Sequence, residues 1–203
     1  MRRAVLFAVT TLLILALPAE RSPAQVMDII TAPKTLIDRA IEARSAKDIL
    51  TDNRIVGDVN RIMVELGTIK ASTEIYEQHL LITGIFNDKT TYDKFLAGVK
   101  NVKGVKKLYW HVTQMSKEEE ERGEKDGSLL KWTDALALDV KVGFNLTKTR
   151  GIADVNFRVA VDSYANVYIL GRARSQPEMG KVVKVVRETG GVKKMFNYAV
   201  VRP

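Results

Sequence analysis

Residue types that carry out catalysis are scarce in this chain of 203 residues. It has two histidines, His79 and His111, and no cysteine, which excludes disulfides, thiolate metal sites, cysteine nucleophiles and an N-terminal lipidated cysteine. Neither histidine has carboxylates at a zinc-site spacing, so turn and strand-end positions are favoured for both. No serine–histidine–acid grouping, nucleophile elbow or phosphate-binding glycine loop is present. The sequence therefore predicts no enzyme, no metal and no cofactor.

The residues best suited to binding lie on a predicted amphipathic helix near the C-terminus. Its buried face is predicted to hold four apolar side chains, those of Met179, Val182, Val183 and Val186. Its other side carries Lys181, Lys184 and Arg187, with Val185 as an exposed apolar neighbour. Such a face suits an anionic bilayer surface, and a merely solvated helix face is the alternative.

The charge balance points to an anionic partner. The net charge is +8 at pH 7, which favours phospholipid headgroups, other envelope polymers or nucleic acid. Residues 128–203 contain 13 Lys and Arg against 6 Asp and Glu, whereas residues 52–116 contain 9 against 7. The basic surface is therefore predicted mainly in the C-terminal half.

The N-terminus has the order of a secretory signal peptide. Arg2 and Arg3 precede an apolar run from residue 4 to residue 17, and small residues follow at Ser22 and Ala24. As a helix the run would cover about 21 Å, less than the hydrocarbon core of about 30 Å. We expect cleavage after Ala24, with Leu17-Pro18-Ala19 as a second candidate site. Export to the periplasm argues against nucleic acid as the partner.

The sequence contains an internal repeat of one structural unit. The segment from His79 to Gly84 is repeated in character from Asn166 to Gly171, and the two glycines lie 87 residues apart. The same offset carries the tetrapeptide Gly104-Val105-Lys106-Lys107 onto Gly191-Val192-Lys193-Lys194. The chain is therefore predicted to contain two copies of one fold.

The first unit is predicted to run helix, strand, strand, helix, strand. Its first helix has an apolar stripe at Ile55, Val59, Ile62 and Leu66, with Thr51 or Asp52 as the N-cap. Strands at 71–76 and 79–86 flank Glu77-Gln78 and should form a hairpin. Because the second helix is a crossover, the last strand, from 106 to about 113, should lie parallel to the strand before it.

The start of the second unit is ambiguous between helix and strand. Six apolar residues alternate there as in a strand, namely Leu136, Leu138, Val140, Val142, Phe144 and Leu146. Equating Asp58-Val59 with Asp139-Val140 in the repeat favours a helix. That helix is predicted to bury Leu136, Val140 and Phe144.

Five segments are predicted in all. They are a signal peptide at 1–24, a helical extension at 25–50, a first domain at 51–115, a charged linker at 116–130 and a second domain at 131–203. The linker is too polar to bury and is either solvated or a helical extension.

The two domains are predicted to pack together. Both central strands are apolar on both faces, which indicates sheets that are covered on each side. Tyr109, Trp110 and Trp132 could anchor to a membrane interface or pack between the domains, and packing is favoured.

These residues resemble the BON family, named for bacterial osmotically inducible and nodulation proteins. The matching pieces are Leu80 to Gly84 with Gly104-Val105, and Val167 to Gly171 with Gly191-Val192. The stretches 149–157 and 171–179 add to the match, whereas the first unit lacks the turn glycine. The resemblance implies an α+β fold of two tandem αββαβ domains, each a small three-stranded mixed sheet packed on two helices.

The resemblance also implies a non-enzymatic envelope protein with roles in phospholipid contact, osmotic protection and outer-membrane integrity. We expect binding to an anionic phospholipid surface through Lys181, Lys184, Val185 and Arg187, and a periplasmic protein that associates peripherally with a membrane. The alternative is a protein-interaction or chaperone-like factor of the osmotic stress response, with envelope assembly proteins as partners. Four glycines, Gly84, Gly104, Gly171 and Gly191, are assigned to backbone requirements.

Overall fold

The computed structural model describes residues 42–68 and 70–202. The predicted signal peptide, 1–24, and residues 25–41 of the predicted extension lie outside the described residues. All of the described residues belong to one unit, Leu36–Pro203. Within it, two α+β domains follow each other along the chain, as predicted.

The first domain has the predicted order of elements. These are α1 (Ala46–Glu65), β1 (Ala71–Tyr76), β2 (His79–Phe86), α2 (Lys89–Lys100) and β3 (Lys107–Gln114). Strand β1 pairs antiparallel with β2, and β2 pairs parallel with β3. The helices cover one face of this sheet, because alternate strand residues and the apolar helix stripes share one core, which includes Ile55, Val59, Leu80, Ile82 and Phe95.

Helix α1 begins earlier than the sequence indicated. Its N-cap is Ser45, whose side-chain oxygen accepts a hydrogen bond from the backbone N–H of Asp48. Thr51 and Asp52, the predicted N-caps, lie inside the helix. Because Ser45 satisfies the free N–H of the first turn, the helix extends N-terminally over residues that were assigned to the extension.

The second domain repeats this plan and adds one strand. Its elements are α4 (Trp132–Thr147), a 3-10 turn (Asp154–Asn156), β4 (Phe157–Val161), β5 (Asn166–Ala173), α5 (Gln176–Glu188), β6 (Lys194–Asn197) and β7 (Val200–Val201). The order β4-β5-β6 reproduces the order β1-β2-β3, with β4 antiparallel and β6 parallel to β5. The short β7, which the sequence did not predict, pairs parallel with the end of β5.

Helix α4 is confirmed, but the face predicted to be buried was wrong. The residues that enter the core are Ala135, Leu138, Val142 and Leu146. The three predicted core residues are exposed instead: Leu136 by 40%, Val140 by 70% and Phe144 by 63%. The strand-like alternation arises because two apolar stripes, each with a four-residue spacing, run along opposite sides of one helix. Val59 therefore corresponds to the buried Val142, and not to Val140.

The charged segment between the domains contains a helix, α3 (Lys117–Asp126). It opens with a capping box in which Ser116 and Glu119 bond each other's backbone N–H. Glu120 accepts hydrogen bonds from Lys70 and Asn87, the latter at 2.7 Å. The segment is thus held against the first domain.

Gly84 and Gly171 occupy equivalent positions near the ends of the central strands. Their φ angles are 153° and 138°. A Cβ atom on Gly84 would lie 2.2 Å from the carbonyl oxygen of Lys70, and one on Gly171 would lie 2.1 Å from that of Asn156. The neighbouring strand therefore passes too close for any side chain at either position.

Gly104 and Gly191 precede the last strand of the core sheet in each domain. Their φ angles, 90° and 108°, lie in the left-handed region that favours glycine. The four glycines thus form two equivalent pairs in the two copies of the fold.

The first hairpin turns without a glycine because a buried carboxylate holds it. Glu77 and Gln78 have φ angles of 49° and 66°, as in a two-residue turn of type I′. Asp52, on α1, accepts hydrogen bonds from the backbone N–H groups of both residues, at 3.0 and 2.8 Å. Arg44 pairs with the same carboxylate at 3.0 Å.

The two sheets pack face to face, which confirms the prediction that the domains associate. Tyr76 and Leu81 of the first domain form a buried cluster with Ala160, Tyr168 and Leu170 of the second. Each domain keeps a separate core between its sheet and its own helices. The order of layers is therefore helix, sheet, sheet, helix.

The contact between the sheets is reciprocal. The offset of 87 residues relates Tyr109 to Phe196 and His111 to Tyr198. Tyr109 stacks on Tyr198 with ring centroids 4.0 Å apart, and His111 lies 6.0 Å from Phe196. Each domain thus presents the same positions to the other, as in the isologous interface of a symmetric dimer.

The two candidate anchors on β3, Tyr109 and Trp110, are both packing residues. Tyr109 lies between the domains, and Trp110 donates a hydrogen bond from Nε1 to the Tyr92 hydroxyl at 3.0 Å. His111 was expected at a strand end but lies in the middle of β3, where its Nε2 shares a hydrogen bond with the Tyr198 hydroxyl at 2.9 Å. His79 follows the hairpin turn, as predicted.

Residues 42–45 connect the two domains. The backbone N–H of Ala43 donates to Asn156 Oδ1 at 2.7 Å, and Arg172 donates to the Ala43 carbonyl at 3.4 Å. Next to it, Arg44 bonds Asp52 and lies 4.8 Å above the ring of Tyr76. The end of the predicted extension therefore bridges the first domain to the second.

Two carboxyl groups beside the domain contact have raised pKa values. The pKa of Glu74 is raised to about 8, mainly by burial and also by the charge of Asp139, while Arg158 opposes the rise. Burial raises the pKa of Asp139 to about 7. Both values exceed those of an unfolded chain, so the folded state binds more protons above about pH 4. These two groups therefore favour folding at low pH and lose that contribution as the pH rises through 7 and 8.

Substituting Glu74 with glutamine tests this pH dependence. We expect Glu74→Gln to raise the free energy of unfolding at pH 8 by about 1–2 kcal/mol, with a smaller effect at pH 5, because a neutral amide removes the cost of ionisation. Urea denaturation of both proteins at the two pH values measures the difference. A difference that stays constant with pH would contradict the raised pKa.

Candidate functional site

Helices α4 and α5 form the outer layer of the second domain. They lie side by side and antiparallel. This orientation is shown by two hydrogen bonds, in each of which a lysine of one helix donates to a carbonyl just past the C-terminal end of the other. Lys141 donates to the carbonyl of Gly190 at 2.7 Å, just past the end of α5. Lys181, near the start of α5, donates to the carbonyl of Arg150 at 3.2 Å, just past the end of α4.

The predicted site residues lie on α5. Lys181, Lys184 and Arg187 are exposed to solvent, and Lys184 lies 3.9 Å from Glu188. Val185, expected to be exposed, is half-buried and packs against the core of the second domain. The cations are therefore placed as predicted, but α5 does not supply the apolar part of the surface.

The apolar part lies on α4 instead. Leu136, Val140 and Phe144, hereafter the α4 stripe, follow one another at intervals of four residues along the side that faces away from the core. Lys148 lies over the Phe144 ring with its Nζ 5.2 Å from the centroid. On the helical wheel, Lys141 falls between the stripe and α5. The helical layer thus carries apolar and cationic side chains next to each other.

This arrangement has the two properties of a surface that binds at a membrane interface. Apolar side chains on an amphipathic helix can enter the boundary between headgroups and acyl chains, while the cations remain at the anionic headgroups. Each fully buried apolar side chain contributes about 1.5–3 kcal/mol, and each Lys or Arg near an anionic leaflet about 1 kcal/mol. A few such residues are enough for reversible association.

The sequence missed the α4 stripe because its spacing equals that of the buried stripe. The internal repeat could have separated the two stripes if the apolar spacing of α1 had been used to align α4. In that alignment the buried residues Ile55, Val59 and Met63 of α1 match the buried residues Leu138, Val142 and Leu146 of α4.

The described residues contain neither a candidate metal site nor a candidate membrane-spanning helix. Within 42–68 and 70–202, no three His, Cys, Asp or Glu residues are grouped so that they could hold a metal ion. In the same part of the chain, none of the helices combines the length and the apolar character needed to cross a bilayer.

The topology defines the second domain as a small α+β module in which a helix and a hairpin precede a second helix and a parallel strand. Residues 134–203, which make up most of the second domain, match the model of the BON domain. The BON family is associated with envelope proteins and is generally non-enzymatic. The first domain lies outside the matched range but has the same order of elements and the same strand pairing.

Among curated protein sequences, none matches the chain. Among solved structures, the chain is similar to CdsD, a structural protein of the type III secretion system of Chlamydia trachomatis. The identity is 11% and the TM-score 0.30, over 74% of this chain and 93% of the other. A structure of the C-terminal domain of the same protein gives 11% and 0.30, over 73% and 98%.

Proposed function

We propose that the helical layer of the second domain binds anionic phospholipid at a membrane surface of the cell envelope. In this proposal the chain is an exported, non-enzymatic periplasmic protein that associates peripherally with a membrane and supports outer-membrane integrity. The observation that carries the proposal is the exposure of the α4 stripe beside the cations of α5. Neither feature alone would suffice, because exposed lysines are common and isolated exposed apolar residues need no explanation.

The α4 stripe is costly to leave in water. Val140 and Phe144 are both more than half exposed, and neither belongs to the buried core of the second domain. In the aligned positions of α1, which are also exposed, stand Asn53, Gly57 and Arg61, none of them a large apolar residue. The difference between the two copies supports a binding role for the second one.

Flotation with vesicles of phosphatidylethanolamine and phosphatidylglycerol tests the proposal. We expect Val140→Glu/Phe144→Glu to weaken binding by about tenfold or more, because two apolar groups are lost and two negative charges face the headgroups. The control is Leu50→Glu/Val64→Glu on α1, which changes two equally exposed apolar residues of the first domain. Equal binding by the stripe variant and the wild type would overturn the proposal.

Charge reversal at Lys181 and Lys184 tests the cationic half of the surface. We expect Lys181→Glu/Lys184→Glu to weaken binding by about tenfold, and wild-type binding to fall as salt is raised. Vesicles of phosphatidylcholine alone should bind weakly. The alternative, a protein-interaction or chaperone-like factor of the osmotic stress response, predicts instead that neither variant changes vesicle binding.

A further inference from the structure

A groove at the end of α5 is lined by residues that, apart from Arg187, are not part of the proposed membrane-binding surface. Its volume is about 430 Å³. Three cationic and three apolar residues line it, namely Arg187, Lys193, Lys194, Val192, Met195 and Phe196. No acidic residue is among them, so the groove suits a ligand that is both negatively charged and partly apolar.

The groove lies along an edge strand. Strand β6 pairs with β5 on one side, and no other described strand pairs with it. The N–H of Tyr198 donates to the carbonyl of Ile169 at 2.8 Å. Because backbone groups alternate in direction along a strand, every second residue of β6 points its N–H and C=O away from the sheet. Those groups are available to an extended chain.

Phe196 provides a preformed apolar anchor beside this edge. It is 38% exposed, and its ring stacks on Tyr168 with centroids 5.0 Å apart. The ring is therefore held in place before any ligand arrives, which lowers the entropy that binding would cost.

The first domain has the same residue pattern but a covered ring. Lys106, Lys107 and Tyr109 stand where Lys193, Lys194 and Phe196 stand in the second domain. Tyr109 is stacked on Tyr198, and Lys107 lies over it with Nζ 4.7 Å from the centroid. Both rings take part in the domain contact, Phe196 through His111 at 6.0 Å, but Phe196 keeps 38% of its surface exposed and is the more accessible of the two.

We propose that this groove binds an extended acidic segment of a partner protein, which adds as a strand to β6. Its carboxylates would meet Arg187, Lys193 and Lys194, and an apolar side chain would lie against Phe196. The charge of the groove requires an acidic partner, and the open strand edge favours a peptide over a lipid headgroup, since a headgroup has no backbone to pair. Only Arg187 is shared with the predicted lipid-binding set, so the two sites can be tested separately.

Fluorescence anisotropy with labelled synthetic peptides tests this site on the full mature chain. The probe is a short peptide of alternating glutamate and valine, compared with one of alternating glutamate and proline that keeps the charge but has no N–H on every second residue and therefore pairs poorly as a strand. We expect the first to bind and the second to bind at least about tenfold more weakly.

Three double variants locate the binding. Lys193→Glu/Lys194→Glu should weaken binding of the glutamate–valine peptide by about tenfold or more, and Lys193→Gln/Lys194→Gln by less. The matched control Lys106→Glu/Lys107→Glu changes the same dipeptide of the first domain and should leave binding within about twofold. Unchanged binding by both Lys193/Lys194 variants, or equal binding of the two peptides, would overturn the proposal.

The vesicle assay separates this result from the function proposed above. Loss of flotation in Lys193→Glu/Lys194→Glu, with no binding of the glutamate–valine peptide by the wild type, would show that the groove takes lipid headgroups and overturn the peptide assignment. Peptide binding that persists in Val140→Glu/Phe144→Glu would support the groove even if the α4 stripe does not bind membranes.

Discussion

Replacing Gly171 with alanine will destabilise the protein by about 3 kcal/mol or more. The new Cβ would lie 2.1 Å from the carbonyl oxygen of Asn156, and the φ angle of 138° is one that alanine rarely adopts. The clash is with backbone atoms of a paired strand, so relief requires β4 and β5 to separate. Urea denaturation followed by circular dichroism will show the loss as a lower midpoint.

Two further substitutions make this test specific. Gly84→Ala should cost a similar amount, because its Cβ would lie 2.2 Å from the Lys70 carbonyl oxygen. Gly143→Ala, within α4, meets nothing within 4 Å and should stabilise the helix by about 0.5–1 kcal/mol. Equal effects of Gly143→Ala and Gly171→Ala would contradict the close approach of the strands.

Asp52→Ala will destabilise the protein by about 3–5 kcal/mol. The substitution removes the acceptor for the N–H groups of Glu77 and Gln78 and leaves the Arg44 guanidinium without this carboxylate in a buried setting. The turn would then have to hold two left-handed residues by itself. Chemical denaturation measures the loss, and Asp58→Ala, which removes a partly exposed ion-pair residue on the same helix, should cost less than about 1 kcal/mol.

A double-mutant cycle identifies the turn as the element that Asp52 holds. Gln78→Gly should relieve the positive φ angle and recover part of the stability that Asp52→Ala loses, because glycine adopts this conformation without strain. Gln78→Gly also removes the hydrogen bond that Gln78 Nε2 donates to Asp52 at 2.9 Å, so Gln78→Ala, which removes this bond but keeps the positive φ angle, is the control. Equal recovery by the two substitutions at Gln78 would contradict the role of Asp52 in holding the turn.

The fold could be predicted from the sequence where one local pattern had one structural solution. The apolar spacing of α1, the polar pair Glu77-Gln78 between two apolar strands and the crossover helix α2 each lead to a single arrangement. The packing of the two sheets also followed, because strands that are apolar on both faces need cover on both. These features are determined by residues that are close together in the sequence, or by the general rule that apolar sheet faces are covered.

The features that were missed depend on partners far away in the sequence. Either apolar stripe of α4 could have entered the core, and only the fit of Leu138 and Val142 against the sheet decides between them. The bridge made by Ala43 uses Asn156 and Arg172, more than 100 residues away. The glycine-free turn at Glu77-Gln78 depends on Asp52, which lies 25 residues before Glu77.

Only the cationic part of the candidate site could be predicted from the sequence, because the apolar part depends on how α4 packs. The cations of α5 could be placed from sequence alone, since Lys and Arg are rarely buried without a partner. The α4 stripe could not, because its exposure contradicts the usual location of valine, leucine and phenylalanine. An apolar residue that is expected in the core but found outside is the more informative observation.

The reciprocal contact between Tyr109 and Tyr198, and between His111 and Phe196, also bears on how such a chain could originate. Two identical one-domain molecules that pair about a twofold axis would meet through these same positions. Joining two copies of their gene would give the present arrangement in one polypeptide. After such a fusion the halves are free to diverge, since a substitution no longer appears twice in the assembly. One copy could then retain the role of holding the pair together while the other acquired an outward-facing surface.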